Sequence, residues 1–215
     1  MVHDLSKNNS ILNQFIAELR DVAIQADSMR FRRNLERVGE IIAVEISKTM
    51  AYKEREITTP LGLAVAQLPV EQPVLATILR AGLPLHQGLL NIFDKGQNAF
   101  ISAYRKHHKD GSFDVQVEYL ACPDLNGKIL IISDPMLATG SSLILTYKAL
   151  QKRGTPSQLH FVCAIASTEG IEKVKKQLPD NIHIWCAAID EELTAQAYIV
   201  PGLGDAGDLA FGEKI

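Results

Sequence analysis

Four stretches with almost no polar member govern what this chain can fold into: residues 73–79, 129–132, 160–166 and 182–188. A strand with one face in water alternates polar and apolar side chains; these runs do not, so each reads as a strand covered on both faces. Helical stretches follow at 85–93, 143–153 and 168–178, the last closed off by Pro179. Strand, helix, strand, helix, strand in sequence requires right-handed crossovers and a mostly parallel central sheet with helices on both faces, an α/β fold. In such sheets ligands collect beyond the carboxyl ends of the strands.

Two of these ends carry charge. After Ile129-Leu-Ile-Ile132 the chain reads Ser133-Asp-Pro-Met-Leu-Ala-Thr-Gly-Ser-Ser142 and then turns helical. Asp134 and Pro135 break the ladder, and Thr139, Gly140, Ser141 and Ser142 supply small residues at a helix N-terminus. Unpaired N–H donors and the helix dipole there favour an anion, above all a phosphate. A plain strand-to-helix turn with Ser142 as N-cap stands beside that reading. Residues 73–79 end in Arg80-Ala-Gly-Leu-Pro84, where Arg80 can grip phosphate with a forked pair of hydrogen bonds or pair with a nearby carboxylate.

The segments around this frame read less sharply. Residues 10–27 and 28–50 show helical spacing of apolar side chains, with Ser10 as a cap. The second helix has a basic face at Arg30, Arg32, Arg33 and Arg37. Partial pairing with Glu36 and Glu40 in a solvated face is favoured over an effector or nucleic-acid patch. Residues 99–104 and 113–119 read as a hairpin arm with a basic tip around Asp110-Gly111, and His107 and His108 lack helical metal-ligand spacing. Arg105, at the arm's root, is better placed to face a site than the tip. The tail 198–212 carries Gly202, Gly204, Gly207 and Gly212. Its G-x-G-x-x-G run lacks the strand, helix and second strand of a dinucleotide fold, so it is read as exposed backbone for a flat heterocycle.

Composition narrows the classes further. At 215 residues the chain fits one large domain, or one domain with an appendage, and 22 Lys+Arg against 25 Asp+Glu gives −3, which leaves no net basic field for nucleic acid. Cys122, Cys163 and Cys186 are too scattered for a disulfide framework or a zinc site. Cys163 and Cys186 read as buried small hydrophobes. The N-terminus has no apolar core for a signal peptide and no run of apolar residues is long enough to span a membrane. A cytoplasmic setting and no membrane partner are expected.

With these residues named, the chain resembles the uracil phosphoribosyltransferases from about residue 30 to 212. The likeness is most specific in Ile78-Leu-Arg-Ala-Gly82, in Ser133-Asp-Pro-Met-Leu-Ala-Thr-Gly-Ser-Ser142, and in Ala187-Ala-Ile-Asp190 continuing to Tyr198-Ile-Val-Pro-Gly-Leu-Gly-Asp-Ala-Gly-Asp208. The resemblance implies a single type I phosphoribosyltransferase-like domain over 1–215, with an N-terminal helical region (10–50), a hairpin arm (99–119) and a C-terminal base-binding hood (190–215). It implies conversion of uracil and 5-phospho-α-D-ribose 1-diphosphate (PRPP) to UMP and diphosphate in pyrimidine salvage.

Under that resemblance Asp134, Pro135, Met136, Leu137, Ala138, Thr139, Gly140, Ser141 and Ser142 line the 5-phosphate and ribose of PRPP. Arg80 and Arg105 face its diphosphate. Uracil lies against Ile199, Gly204, Asp205 and Ala206, with Asp205 also close to PRPP. Asp134, Arg80 and Asp205 are the implied catalytic set. Mg2+ is the implied cofactor, held largely by substrate phosphates and water, so no protein metal-ligand set is expected. A homodimer or higher homo-oligomer embraced by the hairpin arm, and GTP as an effector, are also implied. The alternatives are a non-catalytic sensor of PRPP or UMP and a phosphoribosyltransferase for another base. Three places depart from the family's usual pattern: Ser141 stands where Gly is common, Leu209 and Ala210 stand where Arg and a bulky apolar residue are common, and residues 20–30 differ.

Overall fold

The structure, a computed structural model, describes residues 1–107 and 113–213, with the side chains of residues 103–117 outside that description. The chain begins with β1 (Val2–Asp4), α1 (Leu12–Arg20), α2 (Ser28–Ser47), β2 (Tyr52–Thr59), β3 (Gly62–Pro69), β4 (Val74–Leu79) and α3 (Leu83–Ile92). It continues through β5 (Gln97–His107), β6 (Phe113–Ala121), β7 (Ile129–Ser133), β8 (Met136–Leu137), α4 (Ser141–Leu150), β9 (Gln158–Ser167) and α5 (Thr168–Gln177). It closes with β10 (Ile182–Asp190), β11 (Glu192–Leu193), β12 (Ile199–Val200) and α6 (Ala206–Phe211).

The central sheet runs β1-β10-β9-β7-β4-β5-β6, with β8 also paired to β9, and every pairing is parallel except β5 with β6. Its two faces form two cores, as runs without polar alternation require. Ile129 and Ile131 of β7 enter one core, and Leu130 and Ile132 enter the other. On β9, Val162 and Ala164 face the first core while Phe161 and Cys163 face the second. Helices α1, α2 and α3 fill the first through Leu12, Leu19, Phe31, Leu35 and Leu85; α4 and α5 fill the second through Leu143, Tyr147, Ile171 and Val174. Cys163 and Cys186 are fully buried neighbours across β9 and β10.

Several expectations change in detail. The first helix stops at Arg20 rather than at 27, because Asp21 folds back to accept from the N–H groups of Ala23 and Ile24, an Asx-type turn that competes with the helix. Asp27 then caps α2 by accepting from Met29 and Arg30 N–H. Residues 52–69, with no clear reading in sequence, form β2 and β3, a hairpin apart from the main sheet. Residues 99–119 fall in β5 and β6, the edge of the central sheet, and their tip at 108–112 lies outside the described residues.

The basic face of α2 is used locally, as expected, though with other partners as well. Arg33 pairs with Glu36 at 2.6 Å, and Arg30 reaches Glu18 at 2.8 Å. Arg37 stacks over Phe15, and Arg32 donates to the Ala210 carbonyl in the tail. At the opposite edge of the sheet β1 pairs with β10. There His3, His160 and His183 gather around Trp185: His3 lies against its ring and His160 Nδ1 accepts from its indole N–H at 3.1 Å. Burial, then the neighbouring His183 and His3, press the His160 pKa down to about 3.

Candidate active site

The strand ends carry the chemistry. Asp134 follows β7, Arg80 follows β4, Ser167 ends β9 and Asp190 ends β10, all at the carboxyl edge. The register explains the alignment: β4, β7 and β9 pair in parallel with Thr77 beside Ser133 and Ser133 beside Val162. β7 stops at that level, β4 runs on two residues to Leu79 and β9 on to Ser167 beside β8, so the turns after β7 and β4 open at the same edge.

After β7 the chain makes a two-residue strand, β8, and then a tight turn into α4. Asp134 accepts from Met136 N–H, and the Pro135 carbonyl accepts from Ala164 and Ile165 N–H, which pins the turn to β9. Helix α4 starts at Ser141 with Gly140 at its N-cap, φ 74°, and no side-chain cap. A non-glycine residue is disfavoured at Gly140 both by that left-handed backbone and by space, since an added Cβ would lie 2.8 Å from Val174 Cγ2. Ser142 is therefore not the N-cap, and the first-turn donors of α4 face a small cavity. Asp134, Met136, Leu137, Ala138, Thr139, Gly140, Ser141, Ser142, Leu143 and Phe161 line that cavity, of about 40 Å³. Pro135 lies beneath, buried. An opening this small at a helix N-terminus suits one tetrahedral anion.

Arg80 donates from Nη2 to Asp208 Oδ1 at 3.2 Å and to the Gly212 carbonyl at 3.1 Å. The strand-end arginine thus does pair with a carboxylate, but one supplied by the tail. The turn after β4 and the glycine segment are thus in direct contact. Arg105 lies on β5 opposite Val115, three positions beyond Ser102, where pairing with β4 ends. Its side chain is outside the described residues.

The tail is ordered rather than loose. Ile199 is buried in β12 and pairs with Leu193 of β11. Asp205 caps α6, accepting from Gly207 N–H at 2.8 Å and Asp208 N–H at 3.0 Å. Gly204 is exposed and Ala206 buried. Gly204 and Asp205, with Gln25, Ala26, Ser28, Leu203, Asp208, Leu209 and Glu213, line a cleft of about 410 Å³, a volume within the usual range for small-molecule sites. Ile199 and Ala206 do not line it.

Arg20 locks this hood to the sheet. Its guanidinium grips Asp190 with a forked pair at 2.7 and 2.8 Å and donates to the Gly202 carbonyl at 2.9 Å. Burial pushes the Asp190 carboxyl up, but the Arg20 hydrogen bonds, the Gly202 N–H and the Arg20 charge outweigh it and leave the pKa below its ordinary value. Sequence pattern did not point to Arg20, Asp190, Asp208 or Lys173 as partners. The last, on α5, donates to Ser141 Oγ at 2.9 Å. Each of these contacts joins residues far apart in the chain, which periodicity cannot pair.

The family model for uracil phosphoribosyltransferase matches residues 6–213. The chain belongs to the uracil phosphoribosyltransferase family. A uracil phosphoribosyltransferase of Porphyromonas gingivalis is 56% identical over 211 residues, 98% of each chain. One from Pyrococcus furiosus is 36% identical over 214 residues, 97% of this chain and 89% of the relative. A solved protein from Aquifex aeolicus superposes with a TM-score of 0.88 at 28% identity, covering 100% of both chains. A hypoxanthine phosphoribosyltransferase from Staphylococcus aureus, at 15% identity and TM-score 0.52 over 86% of this chain and 83% of that one, shares the fold. The α/β architecture expected from the four apolar runs is thus that of the type I phosphoribosyltransferases.

Among the described residues no cluster of three or more His, Cys, Asp or Glu could hold a metal ion, and no helix is long and apolar enough to cross a membrane. The cavity at the start of α4 offers one carboxylate, Asp134. That donor set fits a magnesium ion carried mainly by substrate phosphates and water.

Proposed function

We propose that this chain transfers the phosphoribosyl group of PRPP to N1 of uracil, forming UMP and diphosphate in pyrimidine salvage. The observation that carries the proposal is the Arg80 bridge to Asp208 and Gly212. It joins the turn after β4, the strand that pairs with the one leading into the anion cradle, to a backbone-rich tail, which supports a two-substrate site.

The 5-phosphate sits on the first-turn N–H groups and hydroxyls of Thr139, Ser141 and Ser142, with Gly140 allowing close approach. Asp134, at the end of β7, faces the ribose, where its negative charge favours the positive charge that grows on the sugar as diphosphate leaves C1. Arg80 and Arg105 stabilise the departing diphosphate; for Arg80 this means trading Asp208 for substrate oxygens. Uracil is read by the backbone around Ile199, Gly204, Asp205 and Ala206, and its N1 proton leaves to water, assisted by backbone hydrogen bonds and with Asp205 at hand. Asp205 acts first on the fold, as the cap of α6, and through that position on the base. Mg2+, when bound, offsets diphosphate charge, held by substrate oxygens and water with Asp134 the adjacent carboxylate.

The whole-chain match to uracil phosphoribosyltransferases favours the enzyme over a non-catalytic sensor, and uracil over another base. A homo-oligomer belongs to the same proposal. The β2–β3 hairpin supports it, since Leu61, Leu63 and Val65 stand 100%, 70% and 63% exposed on a two-stranded unit that is marginal in water alone. GTP activation and a cytoplasmic setting complete the reading, the latter supported by three free cysteines.

The test is to incubate the pure protein with Mg2+, PRPP and, in turn, uracil, cytosine, orotate, hypoxanthine and adenine, with and without GTP. UMP from uracil alone is the expected product. Another nucleotide would change the substrate, and tight PRPP binding without product would restore the sensor.

A further inference from the structure

The turn into α4 is met from the side by the start of α5, and the two elements touch closely. Ser167 Oγ, which caps α5 by accepting from Gly170 N–H, also donates to the Ala138 carbonyl at 2.6 Å. A Cβ at Gly170 would lie 2.2 Å from that same carbonyl oxygen, so only glycine permits the approach. Lys173 lies three residues on, on the same face of α5. From there its ammonium donates to Ser141 Oγ at 2.9 Å, and Ser141 Oγ is also the acceptor for Thr139 Oγ1 at 3.1 Å.

This placement is electrostatically odd for a helix N-terminus. The first turn of α4 carries the positive end of its dipole, where a cation is unfavourable unless an anion lies between them. None of the ion pairs among the described residues involves Lys173. Its ammonium is held by a neutral hydroxyl that lines the anion cavity. Ser141 is also the residue that departs from the glycine common in this family. The serine and the lysine therefore form one device: Ser141, which lines the cradle, holds the ammonium one hydrogen bond away from it.

We infer that Lys173 is a phosphate-binding residue, adding through Ser141 a positive charge to the subsite for the 5-phosphate of PRPP. The inference rests on the proposed function and deepens it. A Lys–phosphate contact is a charge-assisted interaction, and Lys173 is half-buried, so the effect belongs at the lower end for such bonds.

The experiment compares wild type with Lys173→Met, Lys173→Arg, Ser141→Gly and the double variant Ser141→Gly/Lys173→Met. Calorimetry with ribose 5-phosphate, and with inorganic phosphate, is read beside steady-state kinetics. Lys173→Met is expected to weaken ribose 5-phosphate and to raise the KM for PRPP by about tenfold. The KM for uracil, kcat and the melting temperature stay near wild type. Lys173→Arg should recover most of the affinity. In the double variant the loss should fall short of the product of the single losses, because the two groups act as a pair. Equal affinity for ribose 5-phosphate in wild type and Lys173→Met, with UMP still made, would overturn the inference and leave the function standing. A rise in both KM values with a lowered melting temperature would overturn it in favour of a structural role. Wild type that neither binds ribose 5-phosphate nor makes UMP would remove both.

Discussion

Arg20→Met should loosen the hood and destabilise the fold together. The guanidinium makes three hydrogen bonds, two to Asp190 and one to the Gly202 carbonyl, while the Asp190 side chain is only 7% exposed. Without Arg20 that carboxylate keeps the Gly202 N–H at 2.9 Å and loses its countercharge. Removing one partner of a fully buried pair costs about 3–5 kcal/mol; with the Arg20 side chain 24% exposed, water makes good part of this and about 2–3 kcal/mol remains. For a chain of this size that is a melting-temperature fall of about 4–12 °C. Arg20→Lys should recover less than half of it, because an ammonium cannot reproduce the fork. Because the Asp190 pKa is lowered in the fold, its stabilising share is full above the ordinary carboxylate value and disappears as pH falls through the lowered one. The assay is urea and thermal unfolding at neutral pH, with the KM for uracil measured alongside and expected to rise several-fold more than that for PRPP. A stability change within about 0.5 kcal/mol, or an unchanged KM for uracil, would refute the reasoning.

Three further outcomes are expected. Asp134→Asn should lower kcat by about a hundredfold or more while the melting temperature stays close to wild type, since the residue lines the small cavity at the start of α4 and in the proposed mechanism its charge acts on the developing cation; near-normal turnover would remove Asp134 from the mechanism. Arg80→Lys should lower kcat/KM for PRPP by about 10–100-fold through loss of the forked grip; unchanged kinetics would show that the Arg80 contact with the tail has no functional counterpart. Lowering the pH from 7.5 toward 5 should destabilise the protein. His160 stays neutral in the fold down to about 3 and His3 and His183 are also depressed, so the unfolded chain binds protons first, below its ordinary value of 6.5. A urea midpoint that does not move over this range would contradict the neutral histidine cluster.

Legibility followed chain distance. The runs at 129–132, 160–166 and 182–188 could be read because burial on both faces leaves a local mark, the absence of polar alternation. The strand-turn-helix from Asp134 to Ser142 could be read for a similar reason: small residues before a helix have local consequences for N–H donors. In contrast β1 is three residues long and has no period to detect; only its pairing with β10 makes it a strand. The β2–β3 hairpin sets the charged run 53–56 against the uncharged strand 62–69 with both strands largely exposed, so no buried face marked it. The expected arm at 99–119 was a true antiparallel pair, but strand pattern cannot tell an edge of the main sheet from a free hairpin.

The linear order of residues therefore determined the α/β class, the carboxyl-edge location of Asp134 and Arg80, and the family likeness of the glycine-bearing tail. Each is a property of a short window, set by side-chain burial or backbone chemistry within it. Tertiary structure alone decided that Arg80 meets Asp208, that Arg20 fastens Asp190 and Gly202, that Asp205 caps α6, and that Lys173 reaches Ser141. Those contacts join positions 32 to 182 residues apart, apart from the local cap. Such pairs form only when parallel strands point the same way and their turns are brought to one edge.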